Sequence, residues 1–413
     1  MTRRLASVCV ISIAGLCCND AAAVDIDYSD PAAIGAEQAI VFVGVHVVPM
    51  HTALILANQT VIVRDGRVES IGAAAQTSVP PNASVIDGRG RYLMPALIDM
   101  HAHVLEADLP AYVANGIGTI RNMWGTPSVA RLTREIAAGT RRGPTLISAS
   151  PGLDGVPPQW PLTQIVTVPD SAADLVRAQV AAGWPFLKVY TRLSAAVFDA
   201  VMQSAREQGI APIGHVPLAV DVRHALTSGM RSIEHLTGYD RAVSRTSSGG
   251  TFGWVDADRS RYAELATATA AAPVWNCPTL AIFVALSRQH SQGDRERLIA
   301  NRRAFVLELA RRGGGRLLVG TDAGIDIVAP GTSIHDELAE FVAAGLTPFE
   351  ALRAATSDAA RFLARTDLGV VATGAVADLL LVEGDPLRDV RNVRRMSGIV
   401  LRGSWTATPD ARP

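Results

Sequence analysis

The sequence predicts an α/β protein, a (β/α)8 TIM barrel carrying a small β-sandwich domain formed from both ends of the chain. Three observations predict it. Between about residues 93 and 322, eight short apolar segments alternate with longer alanine-rich amphipathic ones: LMPALIDMHAH, GIGTIRN, TLISAS, PFLKVY, APIGHV, MRSIEHL, APVWNCPTL and RLLVGTD. Alternation of that kind over roughly 250 residues is the pattern of a (β/α)8 barrel. Before it, residues 40–92 read as short β-rich runs with turn signals; after about Leu368, β-rich patterning returns in VADLLLVEGDP and MSGIVLRGSW. The expected division is 24–93 with 368–413 for the β domain and 94–367 for the barrel.

Residues 1–23 stand apart. Arg3 and Arg4, the apolar run Leu5 to Cys18 and the alanines 21–23 follow the order of a secretory signal peptide, with cleavage after Ala23. The run falls short of the roughly 20 residues a spanning helix needs. A lipid anchor on Cys17 or Cys18 is the minor alternative, because Leu16 or Cys17, not a small residue, precedes each. The expectation is an exported protein, periplasmic or secreted. Cleavage removes three of the four cysteines and leaves Cys277, so no internal disulfide can form and a core or a metal must do the stabilising. A core is available: 390 of 413 residues remain, and 48% of the chain is hydrophobic. The net charge of −1 becomes −2, without long charged blocks, which argues against nucleic acid or an anionic membrane as partner. No later apolar run is long enough to insert in a membrane; self-association as a homo-oligomer stays open.

The elements follow in order. TVIVRDGRVESIG reads as two strands joined at Asp65-Gly66, a dipeptide suited to a tight hairpin turn. Ser171 with Asp174 resembles a capping box before LVRAQVAAG, and Gly183 supplies the stop. Thr347-Pro348-Phe349-Glu350 offers an N-cap, a first-turn proline and a glutamate at the third helical position, so a helix starts there. Two connections are long, residues 151–170 and 238–272. Loops after barrel strands sit at the catalytic face, so both are expected to shape the mouth of a pocket; the competing reading of the second is a surface insertion.

The chemistry concentrates at strand ends. In LIDMHAH, Asp99, His101 and His103 alternate with Ile98, Met100 and Ala102, so an extended chain points the polar three one way. Lys188 interrupts the fourth segment, His215 ends the fifth, His235 the sixth and Asp322 the eighth. Singly, each is more simply a packing or surface residue. Jointly they occupy the C-terminal strand ends where such barrels build active sites. Neutral imidazoles with a carboxylate suit a borderline divalent ion, Zn2+ being the expected one. Lysine is the anomaly, since an ammonium has no lone pair to give.

The set HxH, Lys, His, His, Asp on successive strands resembles the amidohydrolase superfamily, in the subgroup whose two metals are bridged by a carboxylated lysine. YLMPALIDMHAHV is similar to that superfamily's approach to the first strand. SIHDELAEFVAAGLTPFEALRAATSDAARFLA followed by VADLLLVEGDPLRDV is similar to its final helices and returning β domain. Within it, the chain is most similar to the imidazolonepropionase-like and prolidase-like (Xaa-Pro dipeptidase) branch, many of whose members carry signal peptides. The resemblance implies that Lys188 forms a carbamate, that His101, His103 and Asp322 hold one metal and His215 and His235 the other, and that a hydroxide bridges them. Two cations would lower the pKa of bound water and polarise a scissile carbonyl, while Asp322 shuttles the proton to the leaving amine. Asp99 would orient ligands as an acceptor behind them. A substrate-binding role is suggested for Tyr190, against that of a packing tyrosine. Arg121 and His335 are further candidate substrate contacts, His335 weighed against a solvent-facing helix-start histidine. Two departures stand out: Ala96 where relatives often have glycine, and Arg121-Asn122 where Arg-Asp is expected, which alters a polar contact near the pocket.

The implied activity is hydrolysis of an amide in a dipeptide or N-acyl amino acid. The same centre could act on a lactone, carbamate or organophosphate ester. A mononuclear deaminase is disfavoured by Lys188, and an inactive metal-binding homologue by Asp322. Cys277 beside Pro278 reads as a buried thiol, not a nucleophile.

Overall fold

The run IVFVGVHV puts β-branched and aromatic residues at nearly every position, and it forms the first strand, β1 (Ile40–Val47), of a computed structural model that describes residues 38–408 apart from Gly313. The leader expected from the sequence, with Cys9, Cys17 and Cys18, lies outside the described residues. After β1 come β2 (Leu56–Arg64), β3 (Arg67–Ala73), β4 (Ser84–Asp87) and β5 (Tyr92–Pro95). The β2–β3 hairpin closes through Asp65 and Gly66 with φ of 51° and 71°, the doubly left-handed turn that an Asp-Gly pair accommodates.

The segments expected to form a barrel give β6 (Leu97–Ala102), β7 (Ile117–Asn122), β8 (Thr145–Ser148), the two-residue β9 (Leu153–Asp154) and β10 (Gln164–Ile165), then β11 (Phe186–Val189), β12 (Ala211–Gly214), β13 (Ser232–Glu234) and β14 (Trp275–Cys277). β6, β7 and β8 form one parallel sheet; β9, β11, β12, β13 and β14 form another in that order, with β10 on its edge. Parallel bridges Ala149–Phe186, Asn276–Leu317 and Ala102–Ala323 connect the sheets to each other and to the eighth segment. That segment, RLLVGTD, is not a regular strand as expected. It exchanges backbone hydrogen bonds with Asn276 on one side and with Met100 and His101 on the other. Gly320 explains the irregularity, because a Cβ there would lie 2.7 Å from that of His101, and the chain turns left-handed at Asp322 (φ 58°) directly afterwards.

The chain returns with β15 (Leu379–Val382), β16 (Met396–Leu401) and β17 (Ser404–Ala407). These join the N-terminal strands in the order β17-β16-β15-β5-β1-β2-β3, with β4 also on β1. A sandwich of two sheets was expected, and hydrogen bonding instead makes one curled sheet. β1 gives one edge to β4 over Ile40–Val43, bends at Gly44 (φ 72°) and gives the same side to β5 at His46 and Val47. The curl brings Trp405 of β17 edge-on to Phe42 of β1, ring centroids 5.5 Å apart, over a core of Val45, Val61, Leu379 and Leu381.

Helix punctuation is mixed. Thr347 and Glu350 make the reciprocal capping box, with Pro348 opening the helix Pro348–Ala354. Ser171 does not cap: its backbone is already helical and its hydroxyl donates to the carbonyl of Val168, because the chain enters Ala172–Ala181 through a tight turn over Pro169–Ser171. The connection 238–272 folds into helices whose Tyr239, Trp254 and Tyr262 cluster on Phe305 of the helix Gln292–Arg311. Among the described residues, no helix is long and apolar enough to cross a membrane.

Candidate metal centre

His101 is fully buried at the end of β6, with its two ring nitrogens facing different neighbours. Nδ1 lies 2.8 Å from Glu234 Oε2. Nε2 lies 3.2 Å from Asp322 Oδ1, off the line of a hydrogen bond and with no other partner among the described residues. His103 Nε2 is 3.1 Å from the same Asp322 oxygen, and His235 Nε2 is 3.9 Å from Oδ2. The ring of His235 sits 4.5 Å from that of His101 and 4.9 Å from that of His215. Lys188, also buried, enters from β11. The structure therefore gathers the histidines and Asp322 expected from the sequence around one spot.

The outer nitrogens explain the orientation. His215 Nδ1 pairs with Thr191 Oγ1 at 2.9 Å, His235 Nδ1 with Thr279 Oγ1 at 2.8 Å, and His101 Nδ1 with Glu234. Partners of this kind fix ring orientation and leave Nε2 as the free donor. Burial pushes the imidazolium forms of His215 and His103 down and holds His235 at about 3, so these rings are neutral. Burial alone would raise the Asp322 carboxyl, but the surrounding histidine rings reverse that and keep it ionised, well below the ordinary range. Burial lowers the Lys188 amine to about 8. Neutral nitrogens, one carboxylate and an unsatisfied buried Nε2 fit a divalent cation.

Sequence alternation cannot produce this site by itself. In a regular strand Glu234 and His235 would face opposite ways, yet both reach His101. Left-handed backbone at His235 (φ 61°) and Leu236 (φ 57°) breaks the alternation; Asp322 and Thr279 (φ 48°) are turned in the same way. Such residues cost about 1–3 kcal/mol each and cluster at functional sites.

Two expectations need correction, and a third is refined. Arg121 is not placed to touch substrate: it is buried, with NH2 2.9 Å and 3.0 Å from the two Glu234 oxygens, NH1 3.0 Å from Ser232 Oγ and Nε 2.6 Å from the Met100 carbonyl. His335 is neither in solvent nor in the cleft; it is buried on the helix Ser333–Ala343 near Asn115, and burial lowers its pKa to about 4. Asp99 supports backbone, not imidazole, accepting from the amides of His101 and Thr321 (3.1 Å each) and from Thr321 Oγ1 (2.7 Å). The β6–β7 register slips between Asp99 and Ala102, yet His101 and His103 still face the same Asp322 oxygen as the alternation in LIDMHAH expects.

Tyr190, nearly buried, stacks on His215 at 4.2 Å, meets Trp124 edge-on at 5.4 Å, and accepts a 2.5 Å hydrogen bond from Trp160 Nε1. Asn122 accepts from the amide of Val104 and donates to the Trp124 carbonyl and Ser148 Oγ, donations an aspartate could not make. Cys277 is buried and its thiol pKa is pushed up, first by burial and then by Glu234, so it is no nucleophile. Beside His103 opens a cleft of about 450 Å³, walled by Leu105, Trp124, Val129, Trp160, Leu162 and Ile325. Loop 151–170 contributes to it as expected; residues 238–272 do not line it. Glu234, Thr191 and Thr279 escaped the sequence reading, although Glu234 and Arg121 had a signal: opposite charges inside two otherwise apolar strands.

The chain belongs to the amidohydrolase family, whose model matches residues 92–405. It is 26% identical to an imidazolonepropionase of Mycolicibacterium smegmatis, over 80% of this chain and 85% of that protein. It is also 26% identical to an adenine deaminase of Rhizobium etli, over 78% of this chain and 51% of that protein, and 25% identical to one of Agrobacterium fabrum, over 73% and 47%; a further imidazolonepropionase and two further adenine deaminases are matched over short stretches, the chain spanning only 10% to 13% of their length. Among solved structures it is similar to a putative prolidase from Bifidobacterium longum, with a TM-score of 0.75 at 23% identity, covering 92% of this chain and 97% of that one. It is also similar to a Xaa-Pro dipeptidase with methionine bound in its active site, with a TM-score of 0.72 at 18% identity, covering 90% and 100%. These likenesses show a shared α/β fold.

Proposed function

We propose that the chain is an exported metal-dependent amidohydrolase that hydrolyses an amide bond, in an Xaa-Pro-like dipeptide or an N-acyl amino acid. The observation that carries this reading is the tying-off of Nδ1 on His101, His215 and His235, which leaves their Nε2 atoms as donors beside Asp322 and Lys188. The bridges between the two parallel sheets support a closed (β/α)8 barrel, with these residues at its C-terminal strand ends. The prolidase-like neighbours support the substrate class.

In this reading His101, His103 and Asp322 hold one divalent ion, Zn2+ by donor type, and His215 and His235 hold a second. Lys188 would add an anionic donor as a carbamate, formed when its neutral amine adds CO2 and releases a proton; burial, by lowering the amine to about 8, favours that neutral form. Bound ions supply an acidified water and a Lewis acid for the scissile carbonyl. The protein's own residues do the rest. Asp322 takes the proton of the attacking water and returns it to the leaving amine. Glu234 and Asp99 hold the ligands' positions, and Tyr190, stacked on His215, flanks the substrate.

Elemental analysis of protein purified with bicarbonate should give two transition-metal ions per chain; one or none at full loading overturns the binuclear reading. Lys188→Ala should abolish turnover of a dipeptide and N-acyl amino acid library, with partial recovery in acetate. Undiminished activity would remove the lysine from the mechanism, and turnover confined to lactones or carbamates would overturn the amide assignment.

A further inference from the structure

Thirteen large apolar side chains are exposed among the described residues, and their placement is uneven. Four lie on the curled β sheet or its loops (Leu56 in β2, Val85 in β4, Leu54 before β2 and Val79 between β3 and β4). Of the other nine, Ile165 lies on the two-residue edge strand β10 and eight lie on connections that follow the parallel strands or the eighth segment, none on the long helices around them. Three of the nine, Leu105 (59% exposed), Trp160 (41%) and Leu162 (61%), line the cleft beside His103. Contiguous exposed apolar surface of this kind marks a binding site.

Asn122, Thr126 and Ser128 on the cleft wall are already hydrogen-bonded, and His103 Nε2 faces Asp322. Asn122 spends its amide on Val104, Trp124 and Ser148. Thr126 Oγ1 accepts from the Val129 amide at the start of the helix Pro127–Ala137 and pairs with Ser128 Oγ at 2.8 Å. No arginine or lysine lines it. A charged group entering there would lose water without gaining an Arg or Lys counter-charge, whereas an apolar group loses nothing. The walls are also held in shape. Trp124 lies against Gly152, where any Cβ would strike the indole, and edge-on to Tyr190; Trp160 is tethered to the Tyr190 hydroxyl. Tyr190 stacks on His215, so the apolar wall runs without a break into the candidate metal centre.

We propose that this cleft is the specificity pocket for a bulky, uncharged apolar substituent of the substrate, an aromatic or branched aliphatic side chain next to the scissile amide. The proposal rests on the amidohydrolase reading above and narrows its substrate class.

The test uses the metal-loaded full protein and two amide series in which the residue on one side or the other of the scissile bond runs Ala, Leu, Phe. On one side, kcat/KM should rise about ten- to a hundredfold from Ala to Phe, the scale of burying one such side chain. In Trp160→Ala that ratio should fall below about threefold, and Trp160→Phe, which keeps the apolar surface but not the tether to Tyr190, should restore most of it. In parallel, titration of tryptophan fluorescence with N-acetylphenylalaninamide against N-acetylalaninamide reads the pocket without turnover, and the former should bind at least tenfold tighter. Hydrolysis of amides with equal kcat/KM for Ala and Phe on both sides overturns the pocket while leaving the amidohydrolase reading standing. If no amide is hydrolysed, that reading fails, and the fluorescence ratio still decides the pocket. A Trp160→Ala effect confined to oligomeric state by light scattering, with the Ala-to-Phe ratio intact, would assign the surface to a second copy of the chain and also overturn the proposal.

Discussion

Glu234 occupies a position no metal-ligand motif would flag, yet His101 depends on it. Its carboxylate takes Nδ1 of His101 on one side and the Arg121 guanidinium on the other, all three fully buried. Burial alone would raise the Glu234 pKa, and Arg121 followed by His101 brings it below the ordinary range, so it stays an anion able to orient the ring. Arg121→Lys keeps the charge but cannot reach Glu234, Ser232 and the Met100 carbonyl together. It should lower metal affinity about 10- to 100-fold with the circular dichroism spectrum unchanged; affinity within threefold of the parent, by competition with a chromophoric chelator, would leave Glu234 without its proposed role. A second buried acid makes a prediction about pH. Glu337 accepts a 2.6 Å hydrogen bond from the Ala281 amide, and burial raises its pKa from 4.5 to about 8. Because the folded state prefers the protonated form, its contribution is complete below pH 4.5 and is lost as pH rises toward about 8. Glu337→Gln should therefore flatten Tm between pH 5 and 8 and melt above the parent at pH 8.5; identical Tm-pH curves would sink the assignment.

Helices and hairpins were legible where local chemistry decides them, and less so where tertiary contact does. Asp65-Gly66 and Thr347-Pro348-Phe349-Glu350 carry their own geometry, and both form as read. Ser171 shows the limit: the same capping pattern is overridden once Pro169 starts a tighter turn, and the hydroxyl turns back to Val168. The eighth segment was legible as an element but not as an irregular one, since its bend comes from Gly320 packed against His101, a contact between residues far apart in sequence. The metal-ligand candidates were visible because histidine, lysine and aspartate are conspicuous in apolar strands. Thr191 and Thr279 were not, because a threonine in a strand end is unremarkable until an imidazole faces it. The helix caps give a paired prediction. Thr347→Ala should cost about 1 kcal/mol in urea unfolding, while Ser171→Ala should stay within about 0.5 kcal/mol of the parent. Equal losses at the two sites would mean that the observed cap geometry does not govern stability.

Across the whole molecule, the candidate metal centre draws on side chains from residue 101 to residue 322, supplied in or just after β6, β11, β12, β13 and the irregular eighth segment. Each is placed at some cost: buried neutral imidazoles, a buried lysine and left-handed backbone at His235 and Asp322 all disfavour the folded chain when nothing binds there. A ligand that bridges these elements should return that cost, since binding only the folded state adds about 4 kcal/mol at a thousandfold excess over Kd. Removing metal with dipicolinate should therefore lower Tm by several degrees, and restoring Zn2+ should recover it. His215→Ala combined with Asp322→Asn should erase the metal-dependent increment, because the double variant loses a donor from each proposed half of the centre. A parent protein with the same Tm before and after chelation would show that the cluster is not a metal site at the scale of the fold.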